Sequence, residues 1–202
     1  MPGLPGLSAF GSSAPTLLIV GFGNPLAGDD SVGIELIRLL RNQREQLDCE
    51  LLEFSQPGLN LLRFCERRGG IVFVDAVRSG SVPGTILLIP LPSPEIEPIN
   101  VGSSHGFGLP QVLELCRVLA RPLPPLMLLG IEIGVVKLGE PRSAEVERAL
   151  QVVVSGFPAL LRLLNHPTTS LWKQSHRYSP GDYIQITSAK TGTATEPSPH
   201  MP

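Results

Sequence analysis

The run Thr16-Leu-Leu-Ile-Val20 is apolar without alternation, a pattern suited to a short strand buried on both faces of a sheet. It recurs along the chain. Glu50-Leu-Leu-Glu-Phe54, Ile71-Val-Phe-Val-Asp75, Thr85 to Ile89 and Leu126 to Ile133 read as further strands. Helix-period segments lie between most of them: Val32 to Leu40, Leu59 to Arg68, Val112 to Leu119 and Ser143 to Leu164. Gly69-Gly70 should stop the second helix, Pro110 suits the first turn of the third, and Gly156 and Pro158 should bend or break the last. Strands alternating with helices predict an α/β three-layer sandwich, with a mostly parallel twisted sheet of about five strands and helices on both faces.

The chemistry concentrates where the first strand ends, in Gly21-Phe-Gly-Asn-Pro-Leu-Ala-Gly-Asp-Asp-Ser-Val-Gly33. Glycines allow the chain to turn sharply, and Asp29 and Asp30 then meet the start of a helix, where a carboxylate favours the helix dipole. Either aspartate can therefore be a cap alone. Two further features add to them. Asp75 ends a buried strand, and His105 stands in the small-residue loop Ser103-Ser-His-Gly-Phe-Gly108 before a helix. Ligands of open α/β sheets bind outside the carboxyl ends of the strands, so Asp30, Asp75 and His105 can converge despite their sequence separation. Two carboxylates and an imidazole suit a divalent ion such as nickel, zinc or manganese. A histidine of ordinary pKa about 6.5 is roughly three-quarters neutral at pH 7 and needs little deprotonation to coordinate. The structural alternative is that Asp75 caps the next turn and His105 satisfies a loop carbonyl.

These residues carry a resemblance to the hydrogenase maturation endopeptidases. The family pattern Gly-x-Gly-Asn-x-Leu-x-x-Asp-(Asp or Glu)-x-x-Gly is met by Gly21, Gly23, Asn24, Leu26, Asp29, Asp30 and Gly33, followed in order by Asp75-Ala76 and the His105 loop. The resemblance runs over roughly residues 15 to 165. It implies an endopeptidase that recognises nickel already placed in the precursor of a nickel-iron hydrogenase large subunit and removes its C-terminal extension. Asp30, Asp75 and His105 fall on the family's metal-binding positions, with nickel supplied by the precursor. A bound ion would polarise the scissile carbonyl or acidify a water, and Asp29 could accept a proton. The chain departs from many relatives where Glu53-Phe-Ser-Gln-Pro-Gly58 replaces a Gly-Gly-Thr-like segment, and where His105 is followed by Gly-Phe-Gly-Leu. Both departures concern the choice of precursor rather than the reaction.

Other plans fit less well. There is no His-Glu-x-x-His helix and no Gly-x-Ser-x-Gly elbow. A dinucleotide site would need a different glycine spacing, and Asp29-Asp30 would repel a pyrophosphate. Peptidyl-tRNA hydrolases share a strand end like Val20 to Pro25 but need an early histidine, and none precedes His105. A nickel-sensing chaperone that holds the precursor uncut would use the same ligands.

The length of 202 residues and 42% hydrophobic content suit one domain, read here as a flexible segment 1–14, an α/β protease domain 15–165 and a mobile tail 166–202 in which Trp172, Tyr178 and Tyr183 offer docking groups. A net charge of -2 gives no electrostatic reason to expect nucleic acid or an anionic membrane, and no run reaches membrane-spanning length. The opening Met1-Pro-Gly-Leu-Pro-Gly6 lacks the basic and apolar regions of a signal peptide. Cys49, Cys65 and Cys116 are odd in number and unpaired in spacing, as expected of reduced thiols in a cytoplasmic enzyme. Glu132, inside the last strand, must pair or reach the cleft, because a buried carboxylate without a partner costs several kcal/mol. His176 and His200 read as solvated tail residues.

Overall fold

A computed structural model describes residues 16–43, 47–56, 58–64, 68–91, 109–134, 136–166, 170–173 and 176–178. The apolar runs become strands β1 (Leu17–Phe22), β2 (Cys49–Phe54), β3 (Gly70–Val77), β4 (Ile86–Leu91) and β5 (Leu126–Glu132), and a short β6 (His176–Tyr178) joins them. Their order across the sheet is β2-β1-β3-β5-β4-β6. The first four are parallel, while β4 runs antiparallel to both β5 and β6. The reversal follows from chain length: residues 78–85 joining β3 to β4 are too few for the crossover that a parallel neighbour needs.

Burial explains the continuous apolar runs. Every residue of β1, β3 and β5 is buried, and alternate side chains feed two cores. Leu17, Ile19, Val72, Val74 and Ala76 face helices α1 (Val32–Arg41) and α3 (Ala144–Leu164). Leu18, Val20, Phe22, Ile71, Phe73 and Val77 face helix α2 (Leu109–Val118) and a 3₁₀ segment, Leu59–Phe64. Helices therefore cover both faces, the three-layer arrangement that strand and helix alternation predicts.

Two local expectations change. The segment from Leu59 is 3₁₀ rather than α-helical through Phe64. A three-residue repeat sets Leu61 and Phe64 on one side, where both join the core. Helix α3 continues through Gly156 and Pro158 instead of breaking. Pro158 has no N–H for the Val154 carbonyl, and the Gln43 side-chain amide donates to that oxygen at 3.1 Å in its place. Part of the segment after residue 166 packs on the domain. Trp172 Nε1 donates to the Leu164 carbonyl at 3.1 Å, closing the end of α3, and the indole lies where a side chain at Gly70 would stand.

Of the cysteines, Cys116 is a buried helix residue and Cys49 is half-buried, with its thiol pushed up to about 11 chiefly by burial and further by Asp48. Neither is a nucleophile in waiting. Cys65 lies outside the described residues.

Candidate active site

The site is built at the carboxyl ends of β1, β3 and β5, three adjacent strands. The loop after β1 folds back on itself. Asn24 N donates to both the carbonyl oxygen and Oδ2 of Asp30, each at 3.1 Å, and Asn24 Oδ1 accepts from Leu26 N at 3.0 Å. Gly23 holds φ +142°, and a Cβ there would overlap the Asp30 carbonyl oxygen. The motif glycine is thus a condition for placing Asp30. Gly33 serves the next step: in the first turn of α1 it sits against the Phe22 and Val74 carbonyls, so only a hydrogen side chain lets the helix start this close to the sheet.

Asp29 and Asp30, adjacent in sequence, have different fates. Asp29 is 4% exposed and faces α3, where Oδ1 accepts from Ser143 N at 2.6 Å and Oδ2 from Ser143 Oγ at 3.0 Å. Ser143 is itself the N-cap of α3. Asp29 is therefore a tie between the first loop and the last helix, not the free base envisaged from the sequence. Nor does either aspartate cap α1, whose N-cap is Ser31 without a side-chain bond.

Asp30 is half-buried, with Oδ2 held by the Asn24 N–H. Burial raises its carboxyl above the ordinary range, opposed by the Asn24 N–H and by the Arg78 guanidinium. Asp75 follows Ile71 and Phe73 on the α2 face and is 8% exposed. Oδ1 accepts from Ala76 N at 2.8 Å. Burial pushes Asp75 up to about 7, the Ala76 bond opposes this, and the neighbouring Asp30 charge adds to it. Asp30 is thus near enough for its charge to act on Asp75. Among the described residues, Asp30 Oδ1 and Asp75 Oδ2 have no hydrogen-bond donor, so each acid is fixed by one oxygen and leaves the other uncommitted. Two partly desolvated carboxylates with one open oxygen apiece fit a divalent cation.

His105 lies outside the described residues, as does the whole connection 92–108. Among the described residues alone, no three His, Cys, Asp or Glu side chains are grouped to hold a metal.

Two participants carried no signal in the sequence. Arg78 is exposed just past β3 and acts electrostatically on Asp30. Its turn is fixed by Glu132, a 2% exposed carboxylate that accepts from Ser79 N at 2.9 and 2.8 Å, Ser79 Oγ at 2.7 Å and Gly80 N at 3.0 Å. The expected partner of Glu132 is thus the β3–β4 turn. The other is Ser143, whose bond to Asp29 spans 114 residues of sequence.

At the departure segment, Phe54 packs its ring between Phe22 and Phe64, at 6.4 and 5.9 Å between centroids, and Glu53 pairs with Arg38 at 3.2 Å. Only Ser55 and Gln56 are exposed there, and Pro57 is not among the described residues.

Comparison with known proteins agrees with this architecture. No family model matches the chain. The hydrogenase expression/formation protein HoxM of Azotobacter vinelandii is 28% identical over 149 residues, covering 70% of this chain and 72% of that one. The hydrogenase 2 maturation protease of Escherichia coli is 28% identical over 152 residues, covering 70% and 90%. The solved structure of the hydrogenase maturating endopeptidase HybD from Escherichia coli superposes with TM-score 0.62 at 24% identity, over 73% of this chain and 92% of that one. The chain is similar to hydrogenase maturation proteins and proteases over about 70% of its length. Its α/β sheet is theirs, and the motif Gly21 to Gly33 lies at the carboxyl end of the first strand.

Proposed function

We propose that this chain is an endopeptidase that removes a C-terminal extension from the precursor of a nickel-iron hydrogenase large subunit, recognising nickel that the precursor already carries. The observation behind it is the pair Asp30 and Asp75, one from the loop after β1 and one from neighbouring β3, partly desolvated and each with an oxygen that takes no donor among the described residues. The homology supplies the reaction class, hydrolysis of a peptide bond.

Asp30, Asp75 and His105 are the residues we assign to the precursor's nickel and to catalysis. Asp75 must give up its proton to bind a cation, and the ion's charge supplies the driving force. Nickel held there would polarise the scissile carbonyl or acidify a water. This chain's contribution is to hold its two acids by backbone N–H groups, so that their open oxygens keep position as the peptide enters. Hydrolysis adds water across the amide, leaving a new carboxylate on the large subunit and a free amine on the released peptide. The raised Asp75 supports a second, aspartic-type reading, in which Asp75 lends the proton for the leaving amine while Asp30 activates the water.

We place the reaction in the cytoplasm, on the strength of three cysteines odd in number and without paired spacing. Among the described residues, no helix is long and apolar enough to cross a membrane.

The test mixes the purified protein with a co-encoded large-subunit precursor, with and without nickel, and follows precursor mass. Loss of a C-terminal peptide only in the nickel sample is expected. Equal cleavage without nickel selects the aspartic-type reading. Unchanged mass in both samples overturns the protease assignment, and unchanged mass with tight binding makes the protein a chaperone.

A further inference from the structure

Asp30 stands between two residues that are bonded elsewhere. Asp29 and Ser31 are almost wholly buried and both reach the start of α3, whereas Asp30 is half-buried with its carboxyl bonded to Asn24. All three belong to Gly28–Ser31, a single 3₁₀ turn without a side-chain cap. So short a turn makes few bonds of its own and depends on support from outside. Ser31 supplies part of it, since its Oγ donates to the Gly28 carbonyl at 2.6 Å and ties the last residue of the turn to the first.

Ser31 is held in its turn by Arg142. Nη1 donates to Ser31 Oγ at 3.1 Å, Nε donates to Glu147 Oε2 at 3.0 Å, and Glu35 Oε2 lies 3.8 Å from Nη1. One planar guanidinium thus joins the turn to the first turns of both α1 and α3. The backbone beside Arg142 is fixed as well: Ser143 N donates to Asp29 at 2.6 Å, and the Glu140 and Pro141 carbonyls lie against Gly28. Residues 142 and 143 therefore hold positions 31 and 29, one on each side of Asp30. Ion pairs at the surface contribute little, so the pairs with Glu35 and Glu147 do not by themselves explain the arrangement. The bond to Ser31 differs, because it reaches a buried hydroxyl that closes the turn carrying a candidate site residue.

We propose that Arg142 is a positioning residue of the site: through Ser31 it fixes the turn on which Asp30 stands, and so sets where the Asp30 carboxylate meets the substrate. Its effect on the reaction rests on the protease reading above. Arg142 holds the reacting geometry rather than the peptide, so it acts on kcat more than on KM.

The test uses the full chain, with the nickel-loaded precursor for kinetics and amide hydrogen exchange for the turn. Arg142→Ala is expected to lower kcat about tenfold with KM within about twofold of wild type. Exchange should quicken about tenfold more at the Asn24 and Asp30 amides, which close the turn onto Asp30 and Ala27, than at the core amides of β5. Ser31→Ala should reproduce both effects, and the double variant should be no worse than about twofold below either single one, because both residues act through one contact. Arg68→Ala is the control: Arg68 pairs with Glu50, its side chain is 18% exposed against 24% for Arg142, and it lies at the amino end of β3, away from the site. It should leave kcat and the Asn24 and Asp30 amides unchanged. An unchanged kcat in Arg142→Ala overturns the positioning role, as do losses that multiply in the double variant or exchange that quickens equally in the turn and the core. Failure of wild type to cleave overturns the protease reading, and the exchange comparison then still decides whether Arg142 holds the turn.

Discussion

Glu132 and Asp75 stand at the ends of neighbouring strands, paired across β3 and β5 only two residues out of register, and both are almost wholly buried. Glu132 is surrounded by donors, its oxygens taking two backbone N–H groups and a hydroxyl. Among the described residues, Asp75 has one N–H and an acidic neighbour. Asp29 repeats the first pattern and Asp30 the second. A buried carboxylate whose donors are complete holds structure together. One left with an open oxygen keeps its desolvation uncompensated and is available for a cation or a proton.

The comparison breaks most visibly in activity. Asp75→Asn and Asp30→Asn should each lower cleavage of nickel-loaded precursor by on the order of a thousandfold while the protein stays folded, measured as kcat/KM. Wild-type cleavage by either variant would remove the site assignment.

The second effect is on stability against pH. Asp75 titrates at about 7 in the fold against the ordinary 3.8, so the folded protein keeps a proton that the unfolded chain releases. The contribution of this group is fully present below about pH 4 and is lost as pH rises through about 7, a decline on the order of 4 kcal/mol. Urea unfolding at a series of pH values should show that decline in wild type and a flatter profile in Asp75→Asn.

Glu132→Ala works in the opposite sense. It should cost about 3 kcal/mol at neutral pH, because the Ser79 and Gly80 N–H groups lose their acceptor inside the turn. Cleavage per folded molecule should fall far less than in Asp75→Asn, a contrast that one set of denaturation and kinetic measurements can check.

Ser143→Ala is the mildest. Removing one cap and one bond to Asp29 should cost about 1 kcal/mol, read as a small drop in denaturation midpoint. A loss as large as that of Glu132→Ala would mean that Asp29 carries more than a tie between two loops.

The sequence on its own determined the layered α/β plan, because strands covered on both faces must be largely apolar, and β1, β3 and β5 are so except for the carboxylates near the ends of β3 and β5. It also singled out Asp75, since a carboxylate near the end of such a strand interrupts an otherwise unbroken apolar pattern, and Asp30 through the glycine-rich motif that precedes it. Tertiary structure decided what local pattern cannot encode. The direction of β4 came from the length of a connection, the continuity of α3 past Pro158 from a distant glutamine amide, and the 3₁₀ form of residues 59–64 from the core it covers. Above all, the separate roles of Asp29 and Asp30 were unreadable in a pair of identical adjacent residues. Their chemistry is set by which donors lie in reach, and those donors come from Ser143 and Asn24, one far along the chain and one across a turn.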